Sequence, residues 1–473
     1  MCNFIVESEQ TVYSPNLKQM MFDNKILSFK LDLWLISKSR LHNICRPSFP
    51  SRLFVCAKQI IWYVNCYNTL NFNGLIKTNY ATRNITNKKL GEQLMRPLDG
   101  IRVIEMAGLA PGPYCGMILA DFGAEVVIID RLTGNGIMPS NGFKNPADRG
   151  KRSIRINLKT SEGCNLIKKM IPEYDILIDP FRPGVMEALG LGPEEALKLN
   201  PGLIYARLTG WGQEGQYASM AGHDINYIGL SGALSLFRRK GERPLPPCNA
   251  LGDFAGGGML CAMGILLALI ERSKSGKGQV IDSAMVDGSA NIITFLYGMV
   301  GNGLMSLDIG TNELDSGAPY YQTYETSDGQ FMTVGALEPK FYAEFIKTLG
   351  LDQDKLPDRY DKSNWPELME KFSKIFKTKT RNEWEALFVG KDACVGPVLN
   401  LDEVAAHPHN KKRNLLMDID GIIQPAPAPR LSRTPGQALR PGTPRGSETL
   451  DVLKELGYSE TEIQSLFDKN IVQ

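Results

Sequence analysis

A chain of 473 residues is about three times a typical single-domain length, which excludes one small module and predicts two or three packed units. Apolar residues make up 43% and charged residues 22%, so a mainly disordered chain is excluded. With 53 basic against 51 acidic residues the formal charge is only +2, and no global field favours nucleic acid as a partner.

The balance conceals two unlike parts. Residues 1–94 carry 12 basic and 5 acidic residues, 11 asparagines, and only Gly74 and Gly91 of the 46 glycines. This stretch reads as an atypical N-terminal extension, and Met95 opens a sequence that looks like a natural start. Glu7 and Glu9 depart from the acid-poor pattern of a mitochondrial presequence. Nine cysteines are scattered without a CxxC spacing, which predicts reduced thiols, no disulfide framework and no metal site. Charges interrupt every apolar window except FAGGGMLCAMGILLALIERSK after Asp253, which reads as a buried core helix, so no membrane span is expected.

From Met95 the pattern is regular. Strand GIRVIEM (100–106) leads through the turn GLAPGP to a helix over YCGMILADFGA, then strand EVVIID (125–130). Strand SIRINL (153–158), helix SEGCNLIKKMI, strand DILIDP (175–180), helical PGVMEALGLGPEEALKLN and strand LIYARLTG (203–210) follow. Alternating helices and buried-type strands predict an α/β fold, a Rossmann-like large domain with a parallel sheet covered on both faces. The pattern changes past Gln279, with a helix near 283–298 and two alternating strands in YQTYETSDGQFMTVGAL around a Ser-Asp-Gly turn. These, with helices EPKFYAEFIKTLG, NWPELMEKFSKIFKT and RNEWEALFVG and a returning strand at Val395–Leu399, predict a smaller α+β domain. Six prolines between 425 and 444 predict an extended tether over 424–445, and Ser459 with Glu462 forms a capping box for the last helix. The expected organisation is 1–94 as the extension, 95–310 as the large domain, 311–404 as the small domain, and 405–473 as a segment returning to the large domain.

A doubly wound sheet raises the question of a dinucleotide cofactor, and GLAPGP answers it poorly. Proline stands where the GxGxxG fingerprint requires glycine, although Asp130 ends the second strand as a ribose-binding acid would. GxxxxGK[ST], GxSxG and HExxH are absent. Of four histidines, only His223 in MAGHDINYIGLSGAL stands beside a predicted helix start after a strand. Asp253, in LGDFAGGG, precedes a cluster of glycines and the long apolar helix. Taken alone it reads as an N-cap, or as a carboxylate beside open backbone donors where an oxyanion would be held. Glu338, before Pro339, suits a helix N-terminus for dipole reasons.

The motifs ARLTGWGQEG, AGHDINYIGLSGAL, LGDFAGGG, KGQVIDSAMVDG, SGAPYYQTY and VGALEPKFY occur in this order, and the region 95–430 resembles the α-methylacyl-CoA racemases, a branch of the family III CoA-transferase superfamily. The resemblance implies an interlocked homodimer, an acyl-CoA thioester substrate whose CoA belongs to the substrate, and no other cofactor or metal. It implies that His223 and Asp253 are the two catalytic bases and that Glu338 supports the histidine. It further implies CoA contacts from Arg131, from Ile156, Asn157, Leu158 and Lys159, from Arg182, and from Gly222, Asp224, Ile225, Asn226 and Tyr227. The expected reaction is interconversion of (R)- and (S)-2-methylacyl-CoA in branched-chain fatty acid or bile-acid-type side-chain metabolism. The alternative is a family III CoA-transferase, in which an aspartate attacks the thioester and forms a mixed anhydride. His223 separates the two, since a transferase needs no proton acceptor there. The C-terminal Ile-Val-Gln lacks a Ser-Lys-Leu-like signal, so the expected compartment is mitochondrion or peroxisome, the mitochondrion slightly favoured.

Overall fold

A computed structural model describes residues 96–133 and 144–473, so the N-terminal extension, the start at Met95 and part of the loop after the second strand lie outside the described residues. The first five strands are β1 (Arg102–Met106), β2 (Glu125–Asp130), β3 (Arg152–Arg155), β4 (Ile176–Asp179) and β5 (Ile204–Thr209). A sixth, β6 (Gln279–Ala284), completes a sheet of order β3-β2-β1-β4-β5-β6. Every pairing in it is parallel. The apolar runs on β1, β2, β4 and β5 are buried on both faces, as parallel strands under helices must be.

The sixth strand escapes the pattern reading because it is an edge. Gln279 and Val280 are exposed, and Asp282 and Ser283 break the apolar run that marks a central strand. What reads as one helix near 283–298 is two, Met285–Ile292 and Thr294–Gly301, which follow β6 directly. β3 is also shorter than expected. Ile156 still donates its amide to the Asp130 carbonyl of β2 at 2.8 Å but also bridges Val472, and the Asn157 amide donates to the Ile471 carbonyl at 2.8 Å, so this run is edged by the last residues of the chain.

Helices α1 (Pro111–Asp121), α2 (Ser161–Met170), α3 (Val185–Ala188), α4 (Pro193–Leu199) and α5 (Asp224–Leu230) connect the first strands and lead toward β6. Between α5 and β6 lies one continuous helix in two registers, a π-helical segment (Ala250–Met259) that runs into α6 (Leu260–Ser275). By length and composition this helix is apolar enough to cross a membrane, yet part of it packs on the sheet through Cys261, Ala262, Ile265 and Ala268. Then come α7 (Met285–Ile292) and α8 (Thr294–Gly301).

The smaller unit is an antiparallel sheet of β7 (Tyr321–Glu325), β8 (Phe331–Gly335) and β9 (Val395–Pro397). It is packed by α9 (Pro339–Thr348), α10 (Trp365–Phe376) and α11 (Arg381–Phe388) around Phe345, Phe372, Phe376 and Trp384. After α12 (Pro408–Arg413) comes a hairpin of β10 (Leu416–Ile419) and β11 (Ile422–Pro425), so Gln424 and Pro425 belong to a strand rather than to the tether. Arg149, buried and paired with Asp121 at the end of α1, donates to Gln424 Oε1 at 3.0 Å and ties the hairpin to that helix of the large domain. Helices α13 (Thr449–Glu455) and α14 (Glu460–Asp468) close the chain, the latter with the Ser459–Glu462 capping box.

One ion pair sits at the centre of the large sheet. Lys151 Nζ reaches Glu105 Oε2 at 2.6 Å and the Pro113 carbonyl at 2.7 Å, with both side chains wholly buried. Burial raises the Glu105 carboxyl above its ordinary range and the adjacent Lys151 opposes this. The lysine thereby holds the first turn of α1 from beneath. Lys151→Met leaves Glu105 buried without its cation and should cost about 3–5 kcal/mol in urea unfolding. Adding Glu105→Leu should recover most of that loss, the recovery being the mark of a stranded charge rather than lost packing.

Candidate active site

The doubly wound order places a crevice where the strand sequence reverses, between the C-terminal ends of β1 and β4. Here protein fills it. A Cβ at Gly108 would lie 2.8 Å from Pro180 Cγ, so this glycine serves close approach of the β4 turn, and Pro113 spends its carbonyl on Lys151. The GLAPGP turn is thus shaped by internal packing, consistent with its failure as a dinucleotide fingerprint.

The chemically loaded groups gather beyond β5. His223 is the N-cap of α5 and is exposed, with its backbone amide donating to Asn226 Oδ1 at 3.0 Å. Its backbone is braced from behind: the Tyr227 hydroxyl donates to the Gly222 carbonyl, and Trp211 stands edge-on to the Tyr227 ring at 4.7 Å. Gly210 is required at the end of β5, since a Cβ there would fall 2.1 Å from the Tyr227 ring. Aromatic packing therefore fixes the direction in which α5 leaves the sheet.

Asp253 lies in the first turn of the π-helical segment, not at its N-cap, because the helix begins three residues earlier. The Asp224 carboxylate binds this turn. Its Oδ2 accepts the amides of Gly252 at 2.6 Å and Asp253 at 2.8 Å, while Oδ1 is buried without a partner. Those two amides are consequently not open to a ligand, as the reading of a bare helix terminus would have them. The following glycines face protein as well. A Cβ at Gly256 would meet Ser289 N at 2.8 Å, at Gly257 the Met285 side chain at 2.9 Å, and at Gly258 the Pro111 carbonyl at 2.6 Å. GGG thus permits α1 and α7 to close on the helix.

The Asp253 carboxyl is half-buried and receives Asn249 Nδ2 at 3.0 Å. Burial raises its pKa first; the Asn249 hydrogen bond opposes the rise, Asp224 adds to it, and the nearby His223 opposes it. The structure so brings His223, Asp224 and Asp253 into electrostatic reach of one another. It does not bring Glu338 to them. Glu338 is the exposed N-cap of α9, beside Cys394, and among the described residues no hydrogen bond or ion pair joins it to His223.

Arg131 is exposed just after β2, its amide donating to Asp130 Oδ1. Ile156 is fully buried, Asn157 is half-buried, and Leu158 and Lys159 line a cleft of about 320 Å³ with Thr160, Ser161 and Lys168. Arg182 is exposed, and its charge is felt at Tyr227. Ile225 and Asn226 are exposed, Gly222 is half-buried, and Asp224 and Tyr227 are buried, so the last two serve the site from inside the protein. Sequence reasoning missed Asn249; its spacing of four residues before Asp253 was the available signal.

The comparisons with known proteins fall on this same region. The model of CoA-transferase family III matches residues 98–449. The chain belongs to CoA-transferase family III. It is 50% identical over 378 residues to the alpha-methylacyl-CoA racemase of Mus musculus, covering 80% of this chain and 97% of the relative. To the alpha-methylacyl-CoA racemase of Homo sapiens it is 47% identical, with the same coverage. A crystal structure of a CAIB/BAIF family protein from Brucella suis superposes with a TM-score of 0.67 at 26% identity, over 76% of this chain and 99% of that one.

The Asp224 clamp is directly testable. Asp224→Ala should accelerate amide hydrogen exchange at Gly252 and Asp253 by about tenfold or more, the equivalent of losing roughly 1–3 kcal/mol of charge-assisted hydrogen bonding. Unchanged protection at both amides would show that the segment holds itself.

Proposed function

We propose that the protein is an α-methylacyl-CoA racemase, interconverting (R)- and (S)-2-methylacyl-CoA by proton transfer at the carbon next to the thioester carbonyl. The observation that carries this reading is the approach of His223 and Asp253, from different chain segments, on a chain half identical to named racemases. Inversion needs a base on one face of the α-carbon, a short-lived enolate, and an acid on the other. A single base would return the proton to the face it left. Imidazole and carboxylate exchange these roles when the reaction runs backwards.

The raised proton affinity of Asp253 favours this chemistry. It moves the carboxyl toward the range in which an imidazole titrates, so the pair with the proton on aspartate and the pair with it on histidine come closer in energy. Reversible transfer through an enolate requires both. The CoA portion would extend from Arg182 to Leu158 and Lys159, whose cleft offers two lysines to its phosphates. In this reading no cofactor other than the substrate's own CoA is used.

Glu338 takes part as an orienting acid for His223 supplied by a second copy of the chain. An apolar surface supports a homodimer: Met259, Met263, Leu267 and Ile270 on the π segment and α6, with Phe295 and Tyr297 on α8, are all exposed, Phe295 by 65%. A family III CoA-transferase is the second reading. The chain is also 28% identical to the succinyl-CoA:glutarate CoA-transferase of Homo sapiens, and Asp253 would be its nucleophile. A histidine beside that carboxylate has no task in acyl transfer, which favours the racemase.

Incubation with (R)-2-methylacyl-CoA in deuterium oxide should give the (S)-thioester together with α-deuterium; transfer of CoA to a free acid without α-exchange would establish the transferase. His223→Ala and Asp253→Ala should each lower turnover by about 10²–10⁴. Glu338→Gln should cost less and displace the limb of the pH profile assigned to the histidine. A wild-type rate and profile in that variant would remove Glu338 from the site.

A further inference from the structure

The turn between β4 and α3, Asp179-Pro-Phe-Arg-Pro-Gly184, carries Arg182 and is held by a buried carboxylate that the chemistry above does not use. Asp179 ends β4 and is 1% exposed. Its Oδ1 accepts the Phe181 amide at 2.9 Å. Its Oδ2 lies 3.3 Å from the Tyr205 hydroxyl, which also faces the Leu191 carbonyl at 3.1 Å, and 3.9 Å from Arg207 Nε. That Nε is a buried donor with no hydrogen-bond partner, so Arg207 meets Asp179 as a charge rather than through a bond. Arg207 Nη2 then reaches Glu187 Oε1 on α3 at 2.6 Å. The chain Asp179–Arg207–Glu187 thus brackets the turn at both ends, while Pro180 is pressed onto Gly108.

We infer that Asp179 is a positioning residue for substrate binding: its ionised carboxylate, with Arg207 and Glu187, fixes the turn that presents the Arg182 guanidinium to the phosphates of an acyl-CoA. The inference rests on the reading of Arg182 as a CoA contact. The energetics separate it from a purely structural role. Burial pushes the Asp179 carboxyl up to about 6, with Phe181 N–H, Arg207 and Tyr205 drawing it down and Glu187 adding to the rise. A carboxyl whose folded pKa exceeds its unfolded value gives stability that is fully present at low pH and is lost as pH rises through that window. At neutral pH the charge on Asp179 is therefore a net cost to the fold. A residue kept only for stability would serve better as asparagine, which retains the acceptor for Phe181 and lacks the charge. Ionisation strengthens the bonds from the Phe181 amide and the Tyr205 hydroxyl and attracts Arg207, and through Arg207 and Glu187 it reaches the geometry of the turn.

The test measures CoA binding by calorimetry beside kcat, KM and melting temperature. Asp179→Asn is expected to weaken CoA about tenfold and raise KM similarly, with kcat kept and a melting temperature equal to or above wild type. Arg182→Ala in the Asp179→Asn background should weaken CoA no further than Arg182→Ala alone, because both act through one contact. Wild-type CoA affinity in Asp179→Asn, or independent, multiplying effects of the two substitutions, overturns the inference. Should Asp179→Asn not fold, Glu187→Gln at the half-exposed outer end decides: a severalfold loss of CoA affinity supports the role and no loss overturns it. If the CoA results hold while the wild type shows no α-deuterium exchange, the racemase reading fails and the positioning role stands.

Discussion

The candidate site depends on one carboxylate that faces inward. Asp224 stands next to His223 in sequence and binds the amides of Gly252 and Asp253 across 28 and 29 residues of chain. It is the hydrogen-bonded link between the start of α5, next to His223, and the π-helical turn that carries Asp253. Through it the two candidate bases, His223 and Asp253, are joined by hydrogen bonds to one neighbouring side chain. The joint has an electrostatic consequence too: burial is the main cause that raises the proton affinity of the Asp253 side chain, and the charge that anchors its backbone adds to the rise.

The glycine-rich segment makes that joint affordable in space. Helices ordinarily meet at 8–10 Å between axes, a distance set by their side chains. At Gly256, Gly257 and Gly258 there are none, and the backbones of α7 and α1 come within reach of the helix itself. π-helical stretches are rare and concentrate at functional sites, where widened turns redirect side chains. Here the widened turns are those beginning at Ala250, so the unusual register and the candidate acid coincide.

Much of the large domain was legible in the sequence, because a parallel strand buried on both faces must be a short continuous apolar run. GIRVIEM, EVVIID, DILIDP and LIYARLTG are such runs, and each holds a strand. QVIDSA is not, since an edge strand needs only one covered face. His223 and Asp253 stood out by residue type and surroundings, and they do approach one another. The clamp made by the Asp224 side chain was not legible, because nothing local reveals that its partners lie in another helix. The same holds for the glycines, whose spacing shows small size but not whether the space is left for ligand or for protein. Contacts made at long range are the part that local patterning cannot carry.

One such contact bears on how the protein is made. The edge of the large sheet beside β3 is bordered by residues 470–472, and the Asn157 side chain reaches the Asn470 carbonyl across 313 positions. Bare sheet edges are templates for wrong pairing, and domains emerge from synthesis N-terminal end first. During translation the β3 side of the sheet must wait, unpaired, while the whole smaller unit and both final helices are made. The large domain, most of whose strands are made early, is thus among the last to finish folding, and its open edge is the surface a chaperone would have to guard.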